Sequence, residues 1–571
     1  VTNLEVIEHD VLILGTGLAG LRSAIEVLKA SNEKLSVGVI SKVHLMRSHS
    51  VAPEGGAAAV LSGNDSFEQH AYDTIKGSDF LADQDVVEEF VRRCPEEILQ
   101  LEHWGCPWSR NEDGSIALRL FGAHEVPRTV FAEDRTGHFL MKTLYDTLLR
   151  YQNFERYDEF FATSLIVEEG RFRGLLALNR KDSSPVFFKA KAIILATGGL
   201  GRLWEFTTNA HTTTGDGFAM AFKAGIPLKD MEFIQWLPTC MVPHGIPATE
   251  ALRGHGAILL NSRGERFMKK YAPEKMDLAA RDIVSRAIMQ EIMEGRGYRA
   301  IGNMDSVLLD ARPVGEEKLL TVYRTFVENA RDFLGIDPLT ELVPVRPAAH
   351  FSMGGVDVDI NMKTEVKGVF AAGEVACVSI DGANRLGSNS LPMCLVTGAI
   401  AGRNAVSYVI NKKETSKASK KSISEEIDKI ERIIGKRGDY DVYSLMKSLQ
   451  RTMEKNVHVF RDEKGLTEAL RTIRQLKEDY QNVGLSDSSR VFNVELIHFL
   501  ELGFMLDVAE VVVTSAIMRR ESRGAHYRVD YPSRDDKNWL KHTIARRKND
   551  GVEISYKPVR ITKWKPEKRR Y

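Results

Sequence analysis

The chain has 571 residues, 43% of them hydrophobic and 27% charged, the make-up of a soluble globular protein too long for one compact core. Its 78 Lys and Arg balance 78 Asp and Glu, which removes the broad positive field that nucleic acid or an anionic lipid surface would need. The five cysteines (Cys94, Cys106, Cys240, Cys377 and Cys394) stand apart, without the paired spacing of a zinc site, an iron–sulfur cluster or a disulfide framework.

The opening stretch VTNLEVIEHDVLIL carries acids where a secretion signal would be basic. No uninterrupted apolar run approaches the roughly 20 residues of a membrane span, so work at a membrane is expected to go through a partner. VLIL at 11–14 suits a strand covered on both faces. GTGLAGLRSAIEVLKA follows, with Leu21, Ala24, Ile25 and Leu28 on one helical face, and LSVGVIS at 35–41 predicts the next strand. Gly15, Gly17 and Gly20 therefore sit in the strand-to-helix turn that lets a pyrophosphate approach the backbone and the helix N-terminus. Strand two ends in Ser41 and Lys42, where an acid would hold the ribose of NAD, and this weakens an NAD reading.

Helical patterns are expected around 84–103 and 138–151, and a strand within AKAIILATGG at 190–199. Residues 235–350 mix Pro, Gly and alternating polarity, which suits a separate domain laid over the first, and VKGVFAAGE at 366–374 returns to strand character. NKKETSKASKKSISEE reads as a linker. Ile427, Ile430 and Ile434, then Val442, Leu445, Met446 and Leu449, recur at helical spacing and predict a bundle over 424–525. The basic tail at 557–571 is expected to be a solvated surface strip rather than a docking segment.

SKVHLMRSHSVAPEGGAAAV, TTGDG, ATEALRGHG, RPAAHFSMGG, GANRLGSNSL and ESRGAHYRVDYPSRDDKNWLKHT occur in order along nearly the whole chain. Together they resemble the flavoprotein subunits of succinate dehydrogenase and fumarate reductase. That resemblance implies an α/β, Rossmann-like FAD-binding domain at 1–234 and 351–410. It further implies an inserted α+β capping domain at 235–350, a linker at 411–424, a helical domain at 425–525 and a small C-terminal domain at 526–571.

It also implies FAD bound covalently through His49, with His44 structural. Ser41, Lys42, Ser50, Gly55, Gly56, Asp216, Glu374, Ser390 and Leu391 would be further contacts. Arg385, His350 and Thr249 would bind a small dicarboxylate. Arg281 would transfer the proton, resupplied through Glu250 and Arg253, because a free guanidinium holds its proton at ordinary pH. Electrons would pass to an iron–sulfur subunit, and through it to membrane anchor subunits on the inner face of the cell membrane. The chain itself would be cytoplasmic.

Some residues depart from the family pattern. Leu237 stands where the family carries a substrate-binding histidine, with Trp236 or His244 as candidate replacements. Ala251 and His255 replace Gly and Glu, and Met393 stands where an acid is frequent. A lost hydrogen bond to a charged group costs about 1.5–3 kcal/mol, so an altered affinity or a different dicarboxylate is the alternative reading, and a noncatalytic FAD scaffold a third. Glu54, in place of the Gln of succinate dehydrogenases, suggests fumarate reduction through an anionic side chain that lowers the flavin potential.

Overall fold

The computed structural model describes residues 4–300, 302, 304–412 and 418–570. At its centre is a five-stranded parallel sheet in the order Val369–Ala371, Ala192–Leu195, Val11–Leu14, Val37–Ser41, Phe154–Asp158. Val11–Leu14 and Ala192–Leu195 are wholly buried because layers cover both faces of the sheet.

Helix Leu18–Ala30 is buried from Leu18 through Leu28, not along one face alone. A second helix, Ser390–Ile410, packs on its outer side, where the Ser23 hydroxyl donates to the carbonyl of Gly398 at 3.0 Å. The charged residues thereby enclosed are paired. Arg22 donates to Glu97 at 2.7 Å and to Glu26 at 2.8 Å, as burial of a charge requires. Ser390–Ile410 is apolar enough in length and composition to cross a membrane, yet 61% of its most apolar window is buried within the protein. Here it is a core helix.

Strands Glu5–Glu8, Ser184–Lys189, Arg171–Asn179 and Phe160–Glu168 form a four-stranded sheet beside the first. Ile234–Met241 and Val343–Ser352 anchor a six-stranded sheet, whose apolar side has its own cluster around Leu252, Val284, Ile288 and Val345. In their pairing, Gln235 faces Phe351 and Trp236 faces Ala349, which leaves His350 as the extra residue of a β-bulge. Such a bulge re-aims a side chain, and His350 faces the cavity described below.

The helical segment comprises Lys420–Glu431, Val442–Asn456, Glu463–Tyr480 and Val494–Met518. It starts inside the expected linker, because Ser419 caps the backbone N–H of Ser422. Residues 413–417 of that linker lie outside the described residues. The bundle ends at Met518, ahead of the expected boundary, and 519–528 form a buried arginine network.

The basic tail is largely exposed, as expected, but it is also pinned to the body of the protein. Gln84 accepts the backbone N–H groups of Thr562, Lys563 and Trp564 at 3.1, 2.9 and 3.0 Å. Arg569 reaches Asp282 at 2.6 Å and Asp79 at 3.0 Å. Partners from distant segments convert the charge run into a docked segment.

Candidate active site

One continuous cavity runs from the strand-turn-helix at Gly15 to the sheet carrying His350. At its first end Gly15 has φ +106°, and a Cβ there would fall 2.1 Å from the carbonyl oxygen of Ala196. Gly20 lets the helix close on the turn, since its Cβ would lie 1.9 Å from the Gly15 oxygen. Gly17 is the N-cap of the helix, and the Leu18 N–H donates to the Ser50 hydroxyl at 3.2 Å. The helix N-terminus thus faces the cavity with its positive end. Ser41 lines the same end.

Lys42 donates to Asp216 at 2.8 Å, to Thr214 at 2.9 Å and to Glu501 at 2.7 Å. Burial works to lower the ammonium pKa, and Asp216 with Glu501 outweigh it, so Lys42 is held above its ordinary range. Glu501 comes from the helical segment and was not among the expected site residues.

Further in, His49 accepts the Ala210 N–H through Nδ1 at 3.4 Å. Burial, then the neighbouring Arg202, lowers its pKa to about 4, so the imidazole is neutral. His44 is exposed and uses its own Nδ1 to accept the Met46 N–H, a local turn contact outside the cavity. Gly55 and Gly56 line the cavity, and their loop is gripped from behind by Arg119, which donates to the carbonyls of Glu54 at 3.0 Å and of Gly55. Arg119 also lies 4.2 Å from the Phe131 ring.

Glu54 corrects an expectation. Burial, then Asp134, raises its pKa to about 8 against the opposing pull of Arg119. Burial therefore favours its neutral form near pH 7, which weakens an argument from a fixed negative charge there. Glu374 is raised to about 7 by burial, and accepts the Ser352 N–H at 2.9 Å. Ser390 and Leu391 line the wall as the first residues of their helix.

Several features fit a flavin dinucleotide. Gly198 lines the cavity, and a Cβ there would meet no protein atom within 4 Å, so the space belongs to a ligand. The hydroxyls of Thr16 and Thr197, also on the wall, are buried without protein partners. Positive helix ends, hydroxyls and two carboxyls at Asp216 and Glu374 form a donor and acceptor set for phosphates and polyols.

At the far end stands a buried charged triad. Arg281 opens helix Arg281–Glu291 and donates to Glu250 at 2.9 Å and to Gln235 at 2.9 Å. Arg253 donates to the other Glu250 oxygen at 3.0 Å, on the short helix that Thr249 caps. Burial pushes the Glu250 carboxyl up, and Arg281 with Arg253 overcome it, so its pKa falls below the ordinary value. Arg253 itself stands behind Glu250, off the cavity wall.

Arg385 is 2% exposed and sits 4.2 Å from the Phe351 ring. Its Nε has no partner, and among the described residues no acceptor takes its other hydrogens. Burial, then Arg281, lowers its pKa to about 10. His350 pairs through Nδ1 with the Thr208 hydroxyl at 2.7 Å, and burial with Arg281 and Arg385 keeps it neutral.

Leu237 shares this wall with Thr249. Neither Trp236 nor His244 lines it. The Trp236 ring is 4.1 Å from His458 and its N–H is unpartnered, while His244 lies 6.0 Å from Phe333. The expected replacements for the missing histidine are thus out of reach.

Residues 10–391 match the family model of an FAD binding domain, and 446–571 that of the fumarate reductase flavoprotein C-terminal region. The fumarate reductase flavoprotein subunit of Mycobacterium tuberculosis is 47% identical, with 99% of each chain covered. That of Escherichia coli K12 is 41% identical over 100% of this chain and 96% of its own. A solved E. coli quinol fumarate reductase chain superposes with a TM-score of 0.97 at 40% identity, covering 99% of both.

The chain belongs to the fumarate reductase and succinate dehydrogenase flavoprotein family. Mycobacterium smegmatis Sdh1, at 33% identity, has a TM-score of 0.86 over 99% of this chain and 96% of its own. The expected α/β FAD-binding fold, with its capping, helical and C-terminal parts, is therefore the family fold, and FAD is the family cofactor. Residues missed from the sequence support this flavoprotein site from behind: Gln235 holds Arg281, Arg119 holds the Glu54–Gly55 loop and Glu501 holds Lys42. None carries a local signal, because each acts on a residue far away in the chain.

Proposed function

We propose that the chain is the catalytic flavoprotein subunit that interconverts succinate and fumarate. The observation that carries this is the meeting, on one cavity wall, of the Arg281–Glu250 pair and the partnerless Arg385. FAD, when bound, supplies the two-electron hydride chemistry. Gly15, Gly17, Gly20, Ser41, Lys42, Ser50, Gly55, Gly56, Asp216, Glu374, Ser390 and Leu391 would hold it. His49 is neutral with Nδ1 engaged, which leaves Nε2 as the ring atom for covalent attachment.

Arg385 and His350 bind a substrate carboxylate with charge-assisted hydrogen bonds, and Thr249 adds a hydroxyl. Arg281 gives a proton from its guanidinium to the substrate carbon. Glu250, bonded to both arginines, passes a replacement from Arg253. The low exposure of all three excludes water from the exchange.

An iron–sulfur subunit would take or supply the electrons, which would place the chain against the inner face of a membrane through anchor subunits. A structural relative is a quinol-fumarate reductase with menaquinol molecules, and that supports a quinol-linked assembly. The nucleotide part would be 1–234 with 351–410 and the capping part 235–350, with the helical part running from Lys420 to Met518.

Anaerobic mixing with succinate, then with fumarate after reduction, tests the reading by flavin absorbance. Bleaching and recovery are expected, and no response to either acid would overturn it. Acid precipitation tests the linkage: yellow protein from the wild type and colourless protein from His49→Ala are expected. Leu237 favours a second reading, an altered preference among acids.

A further inference from the structure

The substrate wall is built unevenly. Arg385 offers guanidinium hydrogens that no described residue accepts, and His350, re-aimed by the β-bulge, stands by it. Asp381 and Glu374 act on this cation only through space, and an incoming carboxylate would give its donors direct charge-assisted acceptors. Leu237, by contrast, is 4% exposed and fixed in an apolar cluster with Phe206, Cys240, Val242 and Ala348.

Thr249 lines the same cavity as Leu237. Its hydroxyl oxygen accepts the Ala251 N–H at 3.4 Å, which leaves one hydrogen to give. A carboxylate on Leu237 would lose its water and gain no hydrogen bond from that side chain. A methyl group there would lose nothing and gain contact with leucine.

We propose that Leu237 forms an apolar subsite, so that the ligand class includes short monocarboxylic acids. The carboxylate would lie on Arg385 and His350, and a hydrocarbon end on Leu237. Four-carbon dicarboxylates bind too, less tightly than a histidine at this position would allow. The proposal rests on the assignment of Arg385 and His350 to carboxylate binding made above.

Isothermal titration of the full-length, FAD-loaded protein with fumarate and with (E)-but-2-enoate tests it. The wild type should bind but-2-enoate at least as tightly as fumarate. Leu237→His should tighten fumarate about 10- to 100-fold and weaken but-2-enoate. Leu237→Met, which keeps an apolar side chain of similar volume, should preserve the wild-type order and guards against misfolding of the histidine variant.

Fumarate binding tenfold or more tighter than but-2-enoate in the wild type would overturn the proposal. So would a folded Leu237→His protein, judged by an unchanged melting temperature, that gains no fumarate affinity. Arg385→Gln separates the two levels: it should abolish binding of both acids. If it leaves both intact, the carboxylate assignment itself fails, whatever Leu237 does.

Discussion

Two buried arginine–glutamate networks of similar composition lie in this molecule. In one, Arg519 donates to Glu232 at 2.6 Å and to Glu521 at 2.9 Å, while Arg523 donates to both Glu521 oxygens at 2.8 and 3.1 Å. The remaining hydrogens of these two arginines go to carbonyls, Thr543 and Asp536, and no nitrogen of either is left over. In the other, Arg281, Arg253 and Arg385 each keep an unpartnered Nε, and Glu250 is ion-paired to Arg281 and Arg253 but not to Arg385.

The first network saturates its two arginines, and the atom it leaves unpartnered is Glu232 Oε2. The second is open, and its unspent donors stand on or behind a cavity wall. Residue type and burial are shared, so function follows from incomplete pairing beside a void.

The sharpest break in this comparison is Arg281→Gln. Loss of a positioned proton donor should lower kcat per folded molecule by about 10²–10⁴-fold in a dye-linked fumarate reduction assay. Glu521→Gln should do the reverse. Removing one partner of a closed buried network costs about 3–5 kcal/mol, read by denaturant unfolding, while kcat per folded molecule stays at the wild-type value.

How much of this contrast was legible in the sequence depends on distance along the chain. The Gly15–Gly20 turn could be read because strand, turn and helix are contiguous. The relay and clamp residues could be assigned by motif, although the motifs give no pairing distances. Gln235 carries no local signal of its role, which appears only when the fold sets it on Arg281, 46 positions on. The protonation of Glu54 was misread because it depends on burial and on Asp134, which no local pattern reveals. The docking of the tail was not legible because its partners, Asp79, Gln84 and Asp282, lie in distant segments.

A gentler probe of the closed side is pH. His542 bridges Asp230 at 2.6 Å and Asp83 at 3.2 Å. Burial lowers its pKa, and the two carboxylates outweigh burial and raise it from 6.5 to about 9. The folded state therefore holds the proton longer than the unfolded chain. Its stabilising contribution is complete below pH 6.5 and is lost as pH rises through about 9. Urea unfolding across that window should show a decline of at most about 3 kcal/mol, and His542→Gln should flatten it.

On the open side the smallest expected effect belongs to Glu54. Above its pKa of about 8 the new negative charge should disfavour reduced flavin, so the midpoint potential should fall more steeply with pH. Glu54→Gln should abolish that extra slope in potentiometric titration and leave the potential at neutral pH nearly unchanged.

Arg569 clamps Asp282, the neighbour of Arg281, across 287 residues of chain. At roughly 5–20 residues per second a ribosome would finish that gap about 15–60 s after making Asp282. During translation the helix that begins at Arg281 therefore waits without its clamp, and a nascent chain can fold its nucleotide half long before the chemistry end is locked. Any factor that loads the cofactor during synthesis would meet a subunit whose far wall is still loose.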